Sequence, residues 1–257
     1  VINNLSEVKN KLDLAKAWTI EAGQYIRENM HNDLEIDEKT NHTDLVTNMD
    51  KSVQDKLVSC IKKKFPEDNI LAEENNLRHS IAKGNVWVID PIDGTSNFVS
   101  QKDNFAVMIA YFENGVGKFG IILDVMKENL YWGDGKKVFR NNDELQKPKI
   151  NLMHSVIGVN SYMYRTNDHG LLDYSENTLG VRILGSAGIE YTKLIEGKIS
   201  GYFSNLSPWD YAAGTIILSA FDYVTEAISG GNPKYDGREK VFTVEKSNLP
   251  LVREFIN

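Results

Sequence analysis

Apolar residues spaced three and four apart open the chain. Leu5, Val8, Leu12, Ala15, Ala22, Tyr25 and Ile26 fall mostly on one stripe, which predicts an amphipathic helix. A polar stretch over 33–43 follows. A second helical stripe, Val53, Leu57, Cys60 and Ile61, begins near Thr47 to Asp50 and ends at Pro66. Beyond Pro66 the period changes. Residues 86–89 are continuously apolar and stop at Asp90-Pro91, and 105–112, 117–123 and 129–132 read as three strands joined by tight turns. Residues 155–160 give another strand candidate, 186–196 a helix, 199–203 an extended segment and 211–220 a further helix. Helices first, strands next and mixed elements last predict an α+β or layered αβ architecture rather than a simple βαβ repeat. No repeat, low-complexity segment or clear linker interrupts the pattern. One domain over 1–257 is expected; a division, if present, would give halves 1–147 and 152–257.

Composition narrows the picture without deciding it. The 257 residues are 41% apolar and 25% charged, as in a soluble globular protein with a sizeable core. A net charge of -7 argues against a nucleic-acid surface, which normally shows as a basic patch. The same acidity suits a protein that gathers carboxylates around cations. Cys60 is the single cysteine, so no intrachain disulfide forms, and it reads as a small core residue. His31, His42, His79, His154 and His169 show no zinc spacing. The start lacks a basic and apolar leader, and no apolar run approaches membrane length, so a cytoplasmic protein with no membrane contact is expected.

The chemistry concentrates in Trp87-Val-Ile-Asp90-Pro91-Ile92-Asp93-Gly94-Thr95-Ser96-Asn97-Phe98. An apolar strand delivers Asp90 at its end, and Asp93 returns three residues later. Gly94 permits a tight turn, and 95–97 can open a helix with exposed amides. Two carboxylates and the Ile92 carbonyl would then converge, a donor set suited to a hard divalent cation. Asp-Pro or Asp-Gly alone would be an ordinary turn; the whole string after a buried strand points to a cation site. Glu73-Glu74 follows a short apolar run, and Asp210 sits in Ser207-Pro-Trp-Asp-Tyr-Ala-Ala-Gly214. Taken singly, the first would be a solvated face and the second a helix cap.

These three segments resemble the signature blocks of the inositol monophosphatase family, in the superfamily with fructose-1,6-bisphosphatases and lithium-sensitive nucleotide phosphatases. Asp90 to Phe98 matches its Asp-Pro-Ile/Leu-Asp-Gly-Thr-x-Asn-Phe block, and Trp209 to Gly214 its Trp-Asp-x-Ala-Gly/Ala-Gly block. Ala72-Glu73-Glu74 is similar to its Gly-Glu-Glu. Lys39 to Asp50, 105–124 and Arg182 to Ala187 continue the likeness over about residues 5–240.

The resemblance implies a layered αβαβα sandwich and a Mg2+-dependent phosphomonoesterase acting on a small phosphorylated metabolite. It implies two to three Mg2+ ions, with Mn2+ as a substitute, held by Glu73, Asp90, the Ile92 carbonyl, Asp93 and Asp210. Asp44 and Thr95 would orient and activate the attacking water, with Glu73 supporting a third ion through waters. Gly94, Thr95 and Ser96 would hold phosphate, and Lys39, Arg182, Gly185 and Ser186 fall at substrate-side positions, with Glu74 behind Glu73. Lithium sensitivity and a homodimer are implied by the same likeness.

One departure touches specificity. Inositol-specific members carry a Glu shortly before Trp-Asp, whereas 201–208 hold no acid, which opens NADP(H) 2′-phosphate and fructose 1,6-bisphosphate as alternative substrates. Gly115-x-Gly117-x-x-Gly120 spells a dinucleotide fingerprint but lies between two strands, so it reads as a hairpin. The glycosylation sequons at Asn41 and Asn205 read as chance matches. A non-catalytic regulatory protein on the same fold is the rival of a different class. Loss of a metal carboxylate would favour it, and all four are present.

Overall fold

The computed structural model describes residues 2–32, 34–39 and 45–256. Helix α1 (Ile2–Asn29) is followed by a small antiparallel pair, β1 (Ile36–Glu38) and β2 (Leu45–Thr47), and by α2 (Asn48–Lys64). Thr47 opens α2 through a capping box with Asp50, which closes off the free amides of the first turn.

The chain then builds a seven-stranded sheet. It comprises β3 (Asn69–Ala72), β4 (Asn85–Asp93), β5 (Ala106–Glu113), β6 (Val116–Asp124), β7 (Asn129–Gly133), β8 (Val138–Arg140) and β9 (Asp143–Leu145), in that spatial order. The short helix α3 (Thr95–Ser100) joins β4 to β5. After residue 156 a second sheet forms. Its elements are β10 (Ile157–Val159), α4 (Ser161–Arg165), α5 (Leu171–Ser175), β11 (Val181–Arg182), α6 (Ala187–Ile195), β12 (Gly201–Leu206), α7 (Pro208–Ser219), β13 (Tyr223–Ala227), β14 (Glu239–Glu245) and α8 (Leu249–Phe255). Its strand order is β11-β10-β12-β14-β13.

Side-chain alternation shows how the layers stack. Along β5, Ala106, Met108, Ala110 and Phe112 face α6 and α7, whereas Val107, Ile109 and Tyr111 face α1 and α2. Both faces are buried, which explains why this segment is apolar without a break. The far face of the second sheet packs on α4, α5 and α8 through Phe203, Phe242 and Val244. The order is therefore α1/α2, first sheet, α6/α7, second sheet, α4/α5/α8: the αβαβα sandwich.

The middle helices sit unusually close to their neighbours. A Cβ on Gly120 would lie 2.3 Å from the Ala213 carbonyl oxygen, and one on Gly214 would lie 2.2 Å from the Tyr191 ring. The Ala-Ala-Gly sequence after Trp209-Asp210 thus lets α7 wedge between β6 and α6.

Two features depart from the sequence expectations. β4 does not stop at Asp90 but runs on to Asp93, with Asp90 opposite Met108 and Asp93 opposite Ala106. Pro91 lacks an N–H for the ladder, and the strand absorbs the extra residue as a bulge. The polar 33–43 stretch also contains β1, whose three exposed residues carry no burial pattern that would reveal a strand. The Gly115 segment is a hairpin, with positive φ at Asn114 and Gly115 as a tight two-residue turn requires.

Among the described residues no helix is long and apolar enough to cross a membrane. On the outer side of the first sheet, Lys11 is fully buried. Its ammonium meets Asp68 and the Tyr111 hydroxyl at 2.8 Å each, and the Trp87 indole N–H donates to the same Asp68 carboxylate.

Candidate active site

The bulge at Pro91 puts Asp90 and Asp93 at the same end of the sheet. Asp210 reaches that end from the first turn of α7. There its carboxylate accepts the Ser207 N–H at 2.8 Å, so the helix cap and the site position are one residue. One carboxylate oxygen from each of Asp90, Asp93 and Asp210 lies within 4.8 Å of the others. Glu73, just past β3, is brought alongside by the parallel β3–β4 ladder, and its N–H donates to the Ile89 carbonyl at 3.2 Å.

So many acids in one buried place resist ionisation. Burial, then the charges of Glu73, Asp93 and Asp210, push the Asp90 carboxyl well above its ordinary range. Burial also lifts Asp93 to about 6 and Asp210 to about 7. Asp90 Oδ1 is buried with no hydrogen-bond partner. An orphaned carboxylate oxygen facing further carboxylates is the donor set of a hard divalent cation, and the residues present fit one.

Asp93 is held in place by the start of α6. The amides of Ala187 and Gly188 donate to it at 3.1 and 2.7 Å, and the Ser186 hydroxyl donates as well. Gly94 makes this approach feasible: its φ is +87°, and a Cβ would fall 2.8 Å from Ser186 Cβ. The Thr95 hydroxyl lies 3.1 Å from both Asp50 Oδ1 and the Ile92 carbonyl oxygen. Burial raises Asp50 to about 6 despite its bonds from Thr47 and Thr95. On the other flank, the Gln54 side-chain amide clamps both backbone groups of Glu74 at 2.8 Å. Lys39 pairs with Glu73 at 2.8 Å and with Glu74, and these carboxylates keep its ammonium protonated.

The carboxylate cluster opens into a cavity of about 260 Å3. Glu73, Asp90, Ile92, Asp93, Gly94, Thr95, Ser96, Gly185, Ser186 and Asp210 all border it. Two expected substrate-side residues, Arg182 and Lys39, do not border it. Arg182 is exposed on β11 with its guanidinium on the Val181 carbonyl and does not border the cavity. Lys39 is engaged by Glu73 and Glu74, and Asp44 lies outside the described residues.

Sequence reasoning missed Asp50, Glu190 and Arg238. Asp50 carried a readable sign, the Thr47-x-x-Asp50 capping pattern. Glu190 borders the cavity from α6, where burial lifts it to about 7. Arg238 had no local signal, because the pairing of β12 with β14 alone brings it to the cavity.

The αβαβα sandwich gathers three aspartates at one sheet end as a candidate cation site, and by its family the chain is a hydrolase of phosphate monoesters. The chain belongs to the inositol monophosphatase family, whose family model matches residues 7–253. It is 38% identical over 227 residues to an inositol-1-monophosphatase of Bacillus subtilis (strain 168), covering 85% of each chain. It is 32% identical over 212 residues to a fructose-1,6-bisphosphatase/inositol-1-monophosphatase of Thermotoga maritima, covering 81% of each. A crystal structure of an IMPase/NADP phosphatase complexed with Mg2+ and phosphate superposes with a TM-score of 0.88, covering 98% of this chain and 96% of that one. At 23% identity it establishes the shared fold.

Proposed function

We propose that this phosphatase hydrolyses inositol monophosphate or a closely related small phosphate ester with Mg2+. The observation that carries the metal assignment is the unpartnered, buried Asp90 Oδ1 within the Asp90–Asp93–Asp210 cluster. Glu73, Asp90, the Ile92 carbonyl, Asp93 and Asp210 would hold two to three ions, with Mn2+ able to substitute. When bound, such ions polarise phosphate oxygens, lower the pKa of a coordinated water and stabilise a leaving alkoxide.

The chain's own groups supply the rest. The Thr95 hydroxyl has one proton, directed at Asp50 and the Ile92 carbonyl, so its lone pairs are left to accept a hydrogen bond from the attacking water. Asp44, by the family likeness, takes that water's proton. The amides of Gly94 and Thr95 orient the phosphate, and the α6 start keeps Asp93 in position. Hydrolysis is then positioning plus electrostatics, with no covalent phosphoenzyme. The same reading carries lithium inhibition, a cytoplasmic location and a homodimer.

A second substrate reading, fructose 1,6-bisphosphate or the 2′-phosphate of NADP(H), is favoured by the neutral Ser204 and Asn205 that border the cavity from β12. The test is phosphate release from inositol-1-phosphate, fructose 1,6-bisphosphate and NADP with Mg2+, with and without chelator. Chelator-sensitive release from at least one substrate, lost in Asp90→Asn, is expected. A chain inert on all three with Mg2+ and Mn2+ would refute the assignment.

A further inference from the structure

We propose that Arg238 makes this cavity selective for phosphate monoesters that carry a second anionic group, which the guanidinium binds while the carboxylate end acts on the ester. The inference rests on the phosphatase reading above, sides with its second substrate reading over inositol monophosphate, and adds a specificity residue to it. Among the described residues bordering the cavity, Arg238 is the only lysine or arginine. The carboxylates supply one kind of lining, and Asn160, Ser161, Ser204 and Asn205 supply neutral hydrogen-bonding groups.

The charge of Arg238 is felt by Asp210 across the cavity but is not neutralised by a paired carboxylate. Its hydrogen bond goes to the Asn205 carbonyl at 3.2 Å, and among the described residues it makes no ion pair. Yet its base is fixed. Arg238 immediately precedes β14, whose Glu239 and Lys240 pair with Leu206 and Asn205 of β12. Three residues earlier, Tyr235 packs against Tyr211 and Phe112, with ring centroids 4.8 and 5.5 Å away. The Glu239 carboxylate then closes the turn, accepting the Lys234 N–H at 2.8 Å and the Tyr211 hydroxyl at 2.9 Å. An exposed arginine on a braced turn at a cavity edge loses little freedom on gripping an anion, and its planar fork suits phosphate or carboxylate. A neutral sugar end gains nothing comparable there.

The experiment compares matched pairs: fructose 1-phosphate with fructose 1,6-bisphosphate, and adenosine 2′-monophosphate with adenosine 2′,5′-bisphosphate. The readout is the ratio of kcat/KM, bisphosphate over monophosphate, from initial phosphate release with Mg2+. The unaltered chain is expected to show a ratio of about tenfold or more in at least one pair, the size of one charge-assisted hydrogen bond. Arg238→Ala should bring that ratio to within about threefold of one, mainly through KM, and Arg238→Lys should retain part of it. Lys234→Ala, an exposed cation on the same loop that does not border the cavity, should leave the ratio unchanged and so excludes a general charge effect. A ratio near one in the unaltered chain, an Arg238→Ala ratio that stays high, or an equal fall in Lys234→Ala overturns the inference while the phosphatase reading stands. A chain that releases phosphate from none of the four but does so from inositol-1-phosphate also overturns this inference alone, and one inert on inositol-1-phosphate as well refutes the phosphatase reading with it.

Discussion

Without metal, the site destabilises the fold at neutral pH, and the size of the effect follows from its carboxylates. Asp93 and Asp210 have folded-state pKa values of about 6 and about 7, against an ordinary 3.8. Between roughly pH 4 and 7 the folded chain keeps protons that the unfolded chain has released, so stability falls as pH rises through that window. At 1.36 kcal/mol per unit this is about 3 kcal/mol for Asp93 and about 4 kcal/mol for Asp210. The Asp93 charge contributes to the Asp210 shift, so the two losses overlap and the joint loss is on the order of 5 kcal/mol. For a chain of this size that lowers the melting temperature by roughly 10–20 °C.

The assay is thermal unfolding in chelator from pH 5 to pH 8, repeated at pH 8 with Mg2+. The metal-free midpoint should fall with pH, and Mg2+ should restore most of the loss. Asp90→Asn is the sharpest variant, because Asp90 Oδ1 has no hydrogen bond to lose. Relieving one repulsion should raise the metal-free midpoint at pH 8 by about 5 °C and abolish the Mg2+ response. If Asp90→Asn melts lower than the parent in chelator at pH 8, or is stabilised by Mg2+ just as much, the reasoning is wrong.

Thr95→Ala should lower kcat by about a hundredfold with KM nearly unchanged, as expected for a group that orients the nucleophile; steady-state kinetics on any accepted substrate will tell. Asp50→Asn should reduce kcat less, since the amide can still accept from Thr95. Gly94→Ala forces a left-handed φ of +87° on a side chain that meets Ser186, so it should cost about 1–3 kcal/mol in denaturant melts and weaken Mg2+ binding through Asp93. Lys11→Met, far from the site, should cost about 3–5 kcal/mol by stranding the buried Asp68 charge, with kcat of the folded fraction unchanged.

The residues that could be read from sequence are those whose chemistry is local. Asp90 and Asp93 share a strand end three residues apart, and Asp210 announces itself inside a helix start, so their roles follow from short strings. The long helices and the continuous strands β4 to β6 were legible because their burial repeats over many residues. The hairpin of β8 and β9 was not, since its strands are three residues long and only Val138 is buried. β13 and β14 were passed over, and with them Arg238, whose place depends on a register joining 201–206 to 239–245. Ser186 shows a different limit. It was expected at the substrate side, and it borders the cavity, yet its hydroxyl donates to Asp93 and accepts the Ile189 N–H. A motif gives proximity to a site; the hydrogen bonds show what a member of the motif does there.

The interleaving of the layers also constrains how the chain is made. All seven strands of the first sheet have been synthesised by residue 145, but the helices that cover one of its faces are α6 and α7, ending at residue 219. On the ribosome, Met108, Ala110, Phe112 and Ile122 therefore stand uncovered while more than seventy further residues emerge. During that interval the nascent chain presents a broad apolar sheet face of the kind that associates wrongly with its neighbours. The α7 segment that covers this face also delivers Asp210, so the covering of the sheet and the completion of the carboxylate cluster fall to the same stretch of chain.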